Sequence, residues 1–289
     1  MSSKVFAVPI DFSQLSLNGL EFASRLAKTL EGELLLIHVV EGEPFWKLGI
    51  GSDAIKELRS IMEKRLEGLA EREQKENGIS VRWALGQGKV YTEISRIAHE
   101  HKARFIVMGT NGEDTFVQRL MGSNTARVIR ESALPVVSVS DPLPATTCKR
   151  VVLPLDLTKE SRQKVKLAAD WALKFQSEIK VVSVMEMHDE FVKHTLQRQM
   201  DQVCHFLQEK NIPFTSEFVE KEGTIARTIL EYCYTHGADI LIIMTQQQED
   251  IIDFFIGSSA EEIINYSRIP VLSLPPRDLE RHTGSIIGT

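Results

Sequence analysis

Four residues in the middle of this chain have the types and spacing to bind an anion: Gly109, Gly112, Gly122 and Ser123. They follow an apolar run, Phe105 to Met108, that reads as a buried parallel strand stopping at a glycine. After Gly109-Thr110-Asn111-Gly112 come nine residues, then Gly122-Ser123-Asn124 opening a helical segment that Pro135 ends. Val136 to Val139 reads as a further buried strand. Strand, glycine loop and helix start are the parts of an anion site. Glycines allow positive φ and close backbone approach, and free N–H groups at a helix start favour phosphate. Ser123 places a hydroxyl where an N-cap or a phosphate donor belongs. Tight turns and close packing use the same glycines, so spacing alone leaves both readings open. The loop lacks the Gly-Lys-Ser/Thr of a P-loop and the G-x-G-x-x-G of a dinucleotide fold.

The elements that must position this loop recur as strands separated by helical patterns. Val5 to Asp11 is a short apolar run ending in Pro9 and Asp11, and Ser13 caps a helix running to Leu30. A strand is predicted over Glu33–Val40, a long amphipathic helix over Asp53–Glu76 stopping at Asn77-Gly78, and a strand over Ile79–Leu85. A helix over Val90–His101 precedes Phe105. This alternation predicts βαβ units and a parallel sheet, whose ligands sit at the carboxyl ends of the strands. Asp11, the end of the second strand and Gly109 all lie at such ends.

The pattern then starts again. Val151–Ser161 repeats the opening, pairing Pro154 with Pro9 and Asp156 with Asp11 at an offset of 145. Further on the offset is 135: Gly223 matches Gly88, Gly257-Ser258 matches Gly122-Ser123, and Pro270 matches Pro135. The second copy is therefore about ten residues shorter between its second and third strands. A repeat of this length is a duplicated domain, not a solenoid. The expected division is a domain over residues 1–146, a second over 147–276 and a tail over 277–289, with Asp141–Thr147 as an extended, proline-bearing link.

Composition narrows the class. Of 289 residues, 43% are hydrophobic and 26% charged, as in an ordinary globular protein. The net charge of −6 disfavours nucleic acid or an anionic membrane as partner. The acidity sits in the second half: residues 1–146 carry 18 basic against 19 acidic groups, the remainder 16 against 21. Met1-Ser2-Ser3-Lys4 runs straight into a strand pattern, and three scattered cysteines (Cys148, Cys204, Cys233) read as reduced thiols. The expected location is cytoplasmic.

Two copies of a first strand ending Pro-x-Asp, with one intact G-x2-G-x9-G-S, resemble a tandem protein of the universal stress (UspA) family. The resemblance covers essentially the whole chain before the tail. It implies an α/β fold of two open, doubly wound, five-stranded parallel sheets, similar to the adenine nucleotide α-hydrolases. It also implies ATP, alone or with Mg, as ligand of the first domain. On that pattern Asp11 meets the adenosine, the backbone at Val39 holds adenine, and Gly109, Gly112, Gly122, Ser123 and Asn124 surround the phosphates. The family pairs its domains through the last strand, so intrachain pairing of the two domains is expected, with further homodimerisation and a regulatory protein partner of unknown identity.

The second copy departs from this pattern. Met244 stands for Gly109 and Gln247 for Gly112, and both side chains tolerate positive φ poorly. Ser258 with Glu261 reads as a capping box that closes the helix start internally. Glu261 and Glu262 replace Ala126 and Arg127, placing carboxylates where a phosphate would lie. The second copy is expected not to bind ATP.

Other residues yield less. His99 and His101 are two apart and do not share a helix face. His38 reads as packed or pocket-lining, and no Ser-His-Asp order or H-E-x-x-H appears. Phe45, Trp46, Leu48 and Ile50 form an apolar cluster suited to a flap, an interface or a buried loop. Three functions remain compatible: a nucleotide-dependent stress-response regulator with at most weak ATPase activity, a slow ATP hydrolase or phosphotransferase, and a nucleotide-free binding scaffold.

Overall fold

The computed structural model describes residues 4–42, 52–110, 123–140, 148–156, 161–185, 190–245 and 257–275. Phe45 to Ile50, Gly112, Gly122, Gln247 and the tail lie outside them. The described residues fall into two compact units, the first ending at residue 140 and the second beginning at residue 148.

In the first unit, β1 (Val5–Pro9), β2 (Glu33–Glu41), β3 (Ser80–Gly88), β4 (Ala103–Thr110) and β5 (Val136–Ser140) alternate with helices. The helices are α1 (Gln14–Leu30), α2 (Ser52–Asn77), α3 (Val90–Glu100) and α4 (Ser123–Glu131). All pairings are parallel and the strand order is β3-β2-β1-β4-β5. Order reverses between β1 and β4, which opens a crevice above their carboxyl ends. β1, β2, β4 and β5 are largely apolar because helices cover both faces, whereas β3 at the edge is mostly exposed or half-buried; Phe6 on β1 stacks on Phe105 of β4 with centroids 5.8 Å apart, both rings buried.

The second unit repeats the plan. Its strands are β6 (Arg150–Leu155), β7 (Glu178–Met185), β8 (Phe214–Glu220), β9 (Ile240–Met244) and β10 (Val271–Leu274), in the order β8-β7-β6-β9-β10. Its helices are α5 (Ser161–Phe175), α6 (Glu190–Glu209), α7 (Ile225–Thr235) and α8 (Ser258–Tyr266). Its pairings are also parallel. Fine details recur at the two sequence offsets. Left-handed backbone follows α1 at Glu31 (φ 51°) and α5 at Gln176 (φ 52°). Thr110 and Thr245 both donate from Oγ1 to a carbonyl of the neighbouring strand, at 3.3 and 3.1 Å.

Helix ends follow local chemistry, with one departure from expectation. Ser13 caps α1 as expected, accepting from the Ser16 amide. α2 ends at Asn77 before Gly78, whose φ of +67° is the glycine-type stop. The capping box at Ser258 does not form: α8 starts one residue earlier than that reading requires, with Gly257 as N-cap and no side-chain cap bond. Ser258 is already the first helical residue, so its hydroxyl is not in the N-cap position. Glu261 and Glu262 are therefore not consumed as caps; Glu262 instead accepts from the Thr224 hydroxyl at 2.8 Å, at the start of α7.

Candidate functional site

A cleft of about 430 Å³ opens at the switch between β1 and β4 in the first unit. Three strand ends converge on it. β1 brings Ile10 and Asp11, β2 brings His38, Val39 and Glu41, and β4 brings Met108, Gly109 and Thr110. Helices complete the wall with Ser13 and Ser16 of the α1 start, Ile94 of α3, and Asn124 and Thr125 of the first turn of α4. Of the residues expected to bind nucleotide, the fold brings Asp11, Val39, Gly109 and Asn124 to this one cleft. Ser123 is the first residue of α4, one position from Asn124. Gly112 and Gly122 lie outside the described residues.

Asp11 is held as a carboxylate. Its Oδ1 accepts from the Ser13 amide at 2.9 Å and the Ser13 hydroxyl at 2.5 Å. Burial pushes its pKa up, but these Ser13 bonds, with help from Ser16 and the Asp11 amide, outweigh it and leave the carboxyl below 3.8. The residue is thus both turn cap and cleft acid. The next residue, Phe12, has φ of 65°, strained for a bulky side chain. His38 lies 5.3 Å from its ring and the Arg65 guanidinium 3.9 Å above it, so the turn that aims Asp11 is clamped from two sides. His38 Nδ1–H donates to the Ile10 carbonyl at 2.6 Å, tying β2 to the same turn.

Gly109 is needed for a different reason from the one its loop position suggests. It is the penultimate residue of β4, paired with Val139 of β5, and its φ is not positive. What excludes a side chain is the start of α1: a Cβ on Gly109 would lie 1.8 Å from the Leu15 carbonyl oxygen. Gly19, one turn further along α1, faces the same strand, and its Cβ would meet the Gly109 nitrogen at 2.9 Å. Two glycines bring the N-terminal turns of α1 directly onto β4, beneath the cleft. Sequence reasoning missed Gly19, whose helical setting concealed a packing role. The periodic glycine in an otherwise apolar helix face was the available signal.

The second unit changes both positions together. Gly19 becomes Lys164 and Gly109 becomes Met244, each buried. A helix carrying Lys164 cannot rest on a strand carrying Met244 as α1 rests on β4. The sequence places the effect of Met244 in backbone φ; the equivalent glycine is extended, so the difference at this position is one of close packing. The Lys164 ammonium lies 3.7 Å from Asp156 Oδ2, the counterpart of Asp11. Burial drives the Lys164 pKa down, opposed by Asp156. The second unit therefore sets its own cation beside the acid that faces an open cleft in the first. Asymmetry extends to the helix starts: the first turn of α4 holds no acidic residue, while that of α8 holds Glu261.

Comparison with known proteins defines the class. A family model described as the universal stress protein family matches residues 3–140 and again 147–275. The chain belongs to the universal stress protein family, in tandem form. It is similar to a universal stress protein of Methanocaldococcus jannaschii, 32% identical over 147 residues spanning 48% of this chain and 83% of that protein. A second protein of that family and organism is 25% identical over 152 residues, spanning 47% of this chain and 94% of its own. Among solved structures, a universal stress protein from Archaeoglobus fulgidus matches with a TM-score of 0.78 at 22% identity, covering 96% of this chain and 100% of that one. That likeness extends the fold assignment to both halves, each a doubly wound parallel sheet.

Proposed function

We propose that this chain is a nucleotide-dependent regulator that binds one ATP in its first unit. The observation that carries this reading is the Gly19–Gly109 contact, which sets the start of α1 against β4 under a cleft bordered by Asp11, the end of β2 and the first turn of α4. Asp11, ionised at neutral pH, suits a ribose hydroxyl donor. The Val39 backbone at the end of β2 suits an adenine edge. The start of α4, without an acidic first turn, suits phosphate, joined in this reading by Gly112, Gly122 and Ser123. Among the described residues no group of three or more His, Cys, Asp or Glu is arranged to hold a metal, so Mg would arrive with the nucleotide. No helix among the described residues is long and apolar enough to cross a membrane. The three cysteines are unbridged, which suits a reducing cytoplasm.

The test is calorimetry with ATP on the full chain, paired with mass identification of any nucleotide released on denaturation. One equivalent is expected, and Gly112→Gln is expected to weaken it by two orders of magnitude or more. That follows from losing two or three charge-assisted backbone bonds at roughly 1.5–3 kcal/mol each. Two equivalents of similar affinity, or tight binding unchanged by Gly112→Gln, would overturn the reading.

A further inference from the structure

The two units differ at a second place, away from the strand ends. In the first unit the groove between α1 and α2 is polar. Ser24 and Asn77 donate to the same oxygen of the buried Glu73, at 2.8 and 2.9 Å. In the second unit the matching groove between α5 and α6 is an apolar cleft of about 380 Å³. The replacements are coordinated across both helices. On α5, the 145 offset turns Ser24 into Ala169 and Lys28 into Leu173. On the facing helix, the left-handed residues Gly78 and Asn211 align the two copies, so Glu73 becomes Phe206 and Asn77 becomes Lys210. A polar, hydrogen-bonded lining is thus exchanged for a largely hydrocarbon one.

Three further features say what such a wall would receive. Lys166 and Lys210 both line the cleft, and neither makes an ion pair among the described residues, although Asp170 also lines it. Gln199 lines it too, with its side-chain oxygen buried and unpartnered among the described residues. Leu173 is 53% exposed beside it, a large apolar side chain left to water. Apolar walls with a few polar groups at fixed points are the ordinary build of a small-molecule site, and the volume falls within the usual range of about 300–1,000 Å³. At about 30 Å³ per non-hydrogen atom of a liquid, it holds roughly a dozen such atoms.

We infer that the α5–α6 cleft binds a small amphipathic acid, its apolar body against Ala169, Leu173, Val203 and Phe206 and its anionic group at Lys166 and Lys210. The two lysines select an anion over a cation of equal length. The polar groove of the first unit does not share the site. The inference stands independently of the nucleotide reading, since no cleft residue is common to the two sites.

Decanoate, kept below its micellar concentration, is the probe, with decyltrimethylammonium as its charge-reversed partner. Calorimetry on the full chain is expected to give saturable binding of one decanoate and none of the cation. Lys166→Glu/Lys210→Glu is expected to weaken decanoate at least tenfold, and Leu173→Glu likewise. All three positions are exposed, so the variants should keep the wild-type thermal melt, which circular dichroism checks. Absence of saturable binding would overturn the inference, as would equal binding of both amphiphiles or binding that survives both variants. So would a concentration-dependent dimer dissociated by Leu173→Glu, which would make a second copy of the chain the occupant.

Discussion

At the scale of single residues, Gly109 and Lys164 carry the difference between the two halves. A Cβ at position 109 would come within 1.8 Å of the Leu15 carbonyl, so Gly109→Ala must lift α1 off β4. Overpacking of this kind costs about 1–3 kcal/mol. Urea unfolding should show that loss, and Gly19→Ala should lose less because its contact, at 2.9 Å, is milder. Lys164 makes a pH-dependent prediction. Its pKa is lowered in the folded chain, chiefly by burial, so between that native value and the ordinary 10.5 the unfolded chain binds more protons. Stability must then rise with pH across that window and show no slope from this group below it, where both states are protonated. In urea titrations at a series of pH values, Lys164→Met should remove this rise. A rise that persists in the variant would assign it to another group.

At the scale of elements, the start of α1 joins fold and site. Ser13 accepts from the Ser16 amide at 3.3 Å while its hydroxyl donates to Asp11, so one side chain caps the helix and holds the cleft acid. Ser13→Ala should cost about 0.5–2 kcal/mol of stability, as N-cap losses do. It should also raise the Asp11 pKa toward 3.8, because the Ser13 hydroxyl bond that helps hold the acid down is lost, while the Ser13 amide bond remains. Carbon-detected NMR titration of the Asp11 carboxyl reads the second effect independently of the first. The stability that Asp11 supplies is present above 3.8 and fades as pH falls through its lower native value, so Ser13→Ala should shift that loss upward in pH.

For the whole molecule, duplication followed by divergence has produced two units with one plan and different contents. The first keeps an open cleft at its strand ends and a polar groove between α1 and α2; the second has a buried lysine beside its strand-end acid and an apolar cleft between α5 and α6. In the proposed regulatory reading the nucleotide is held and not consumed quickly. Phosphate release under saturating ATP should therefore fall far below the ordinary enzyme median of about 10 per second. Rapid multiple turnover that Gly112→Gln abolishes would move the protein to the hydrolase class.

What the amino-acid order determined by itself was everything written in local periodicity. The apolar runs ending at Pro9, Met108 and Val139, the helical spacing from Ser13 to Leu30, and the stop at Asn77-Gly78 depend on neighbours a few residues away. The duplication was visible for the same reason, because Pro-x-Asp and Gly-Ser recur at near-constant offsets. Asp11, the end of the second strand and Gly109 could be grouped because a parallel sheet gathers strand ends to one edge, whereas Val39 and Asn124 were named by the resemblance to the universal stress family. Tertiary structure alone decided what depends on separation between distant segments. Gly109 resembles a turn glycine in sequence, but its extended backbone and the Leu15 carbonyl above it make it a contact glycine. Gly19 and Lys164 occupy one helix position, and only the strand beneath shows that the first closes a contact and the second places a charge on Asp156. The Ser258 cap failed for a related reason: a capping box specifies residue types, but Gly257 takes the N-cap position, with its amide donating to the Thr245 carbonyl just after β9. The α5–α6 cleft lies furthest from any sequence motif, since Ala169 and Phe206 are 37 residues apart and meet only because two helices pack on the same face of one sheet.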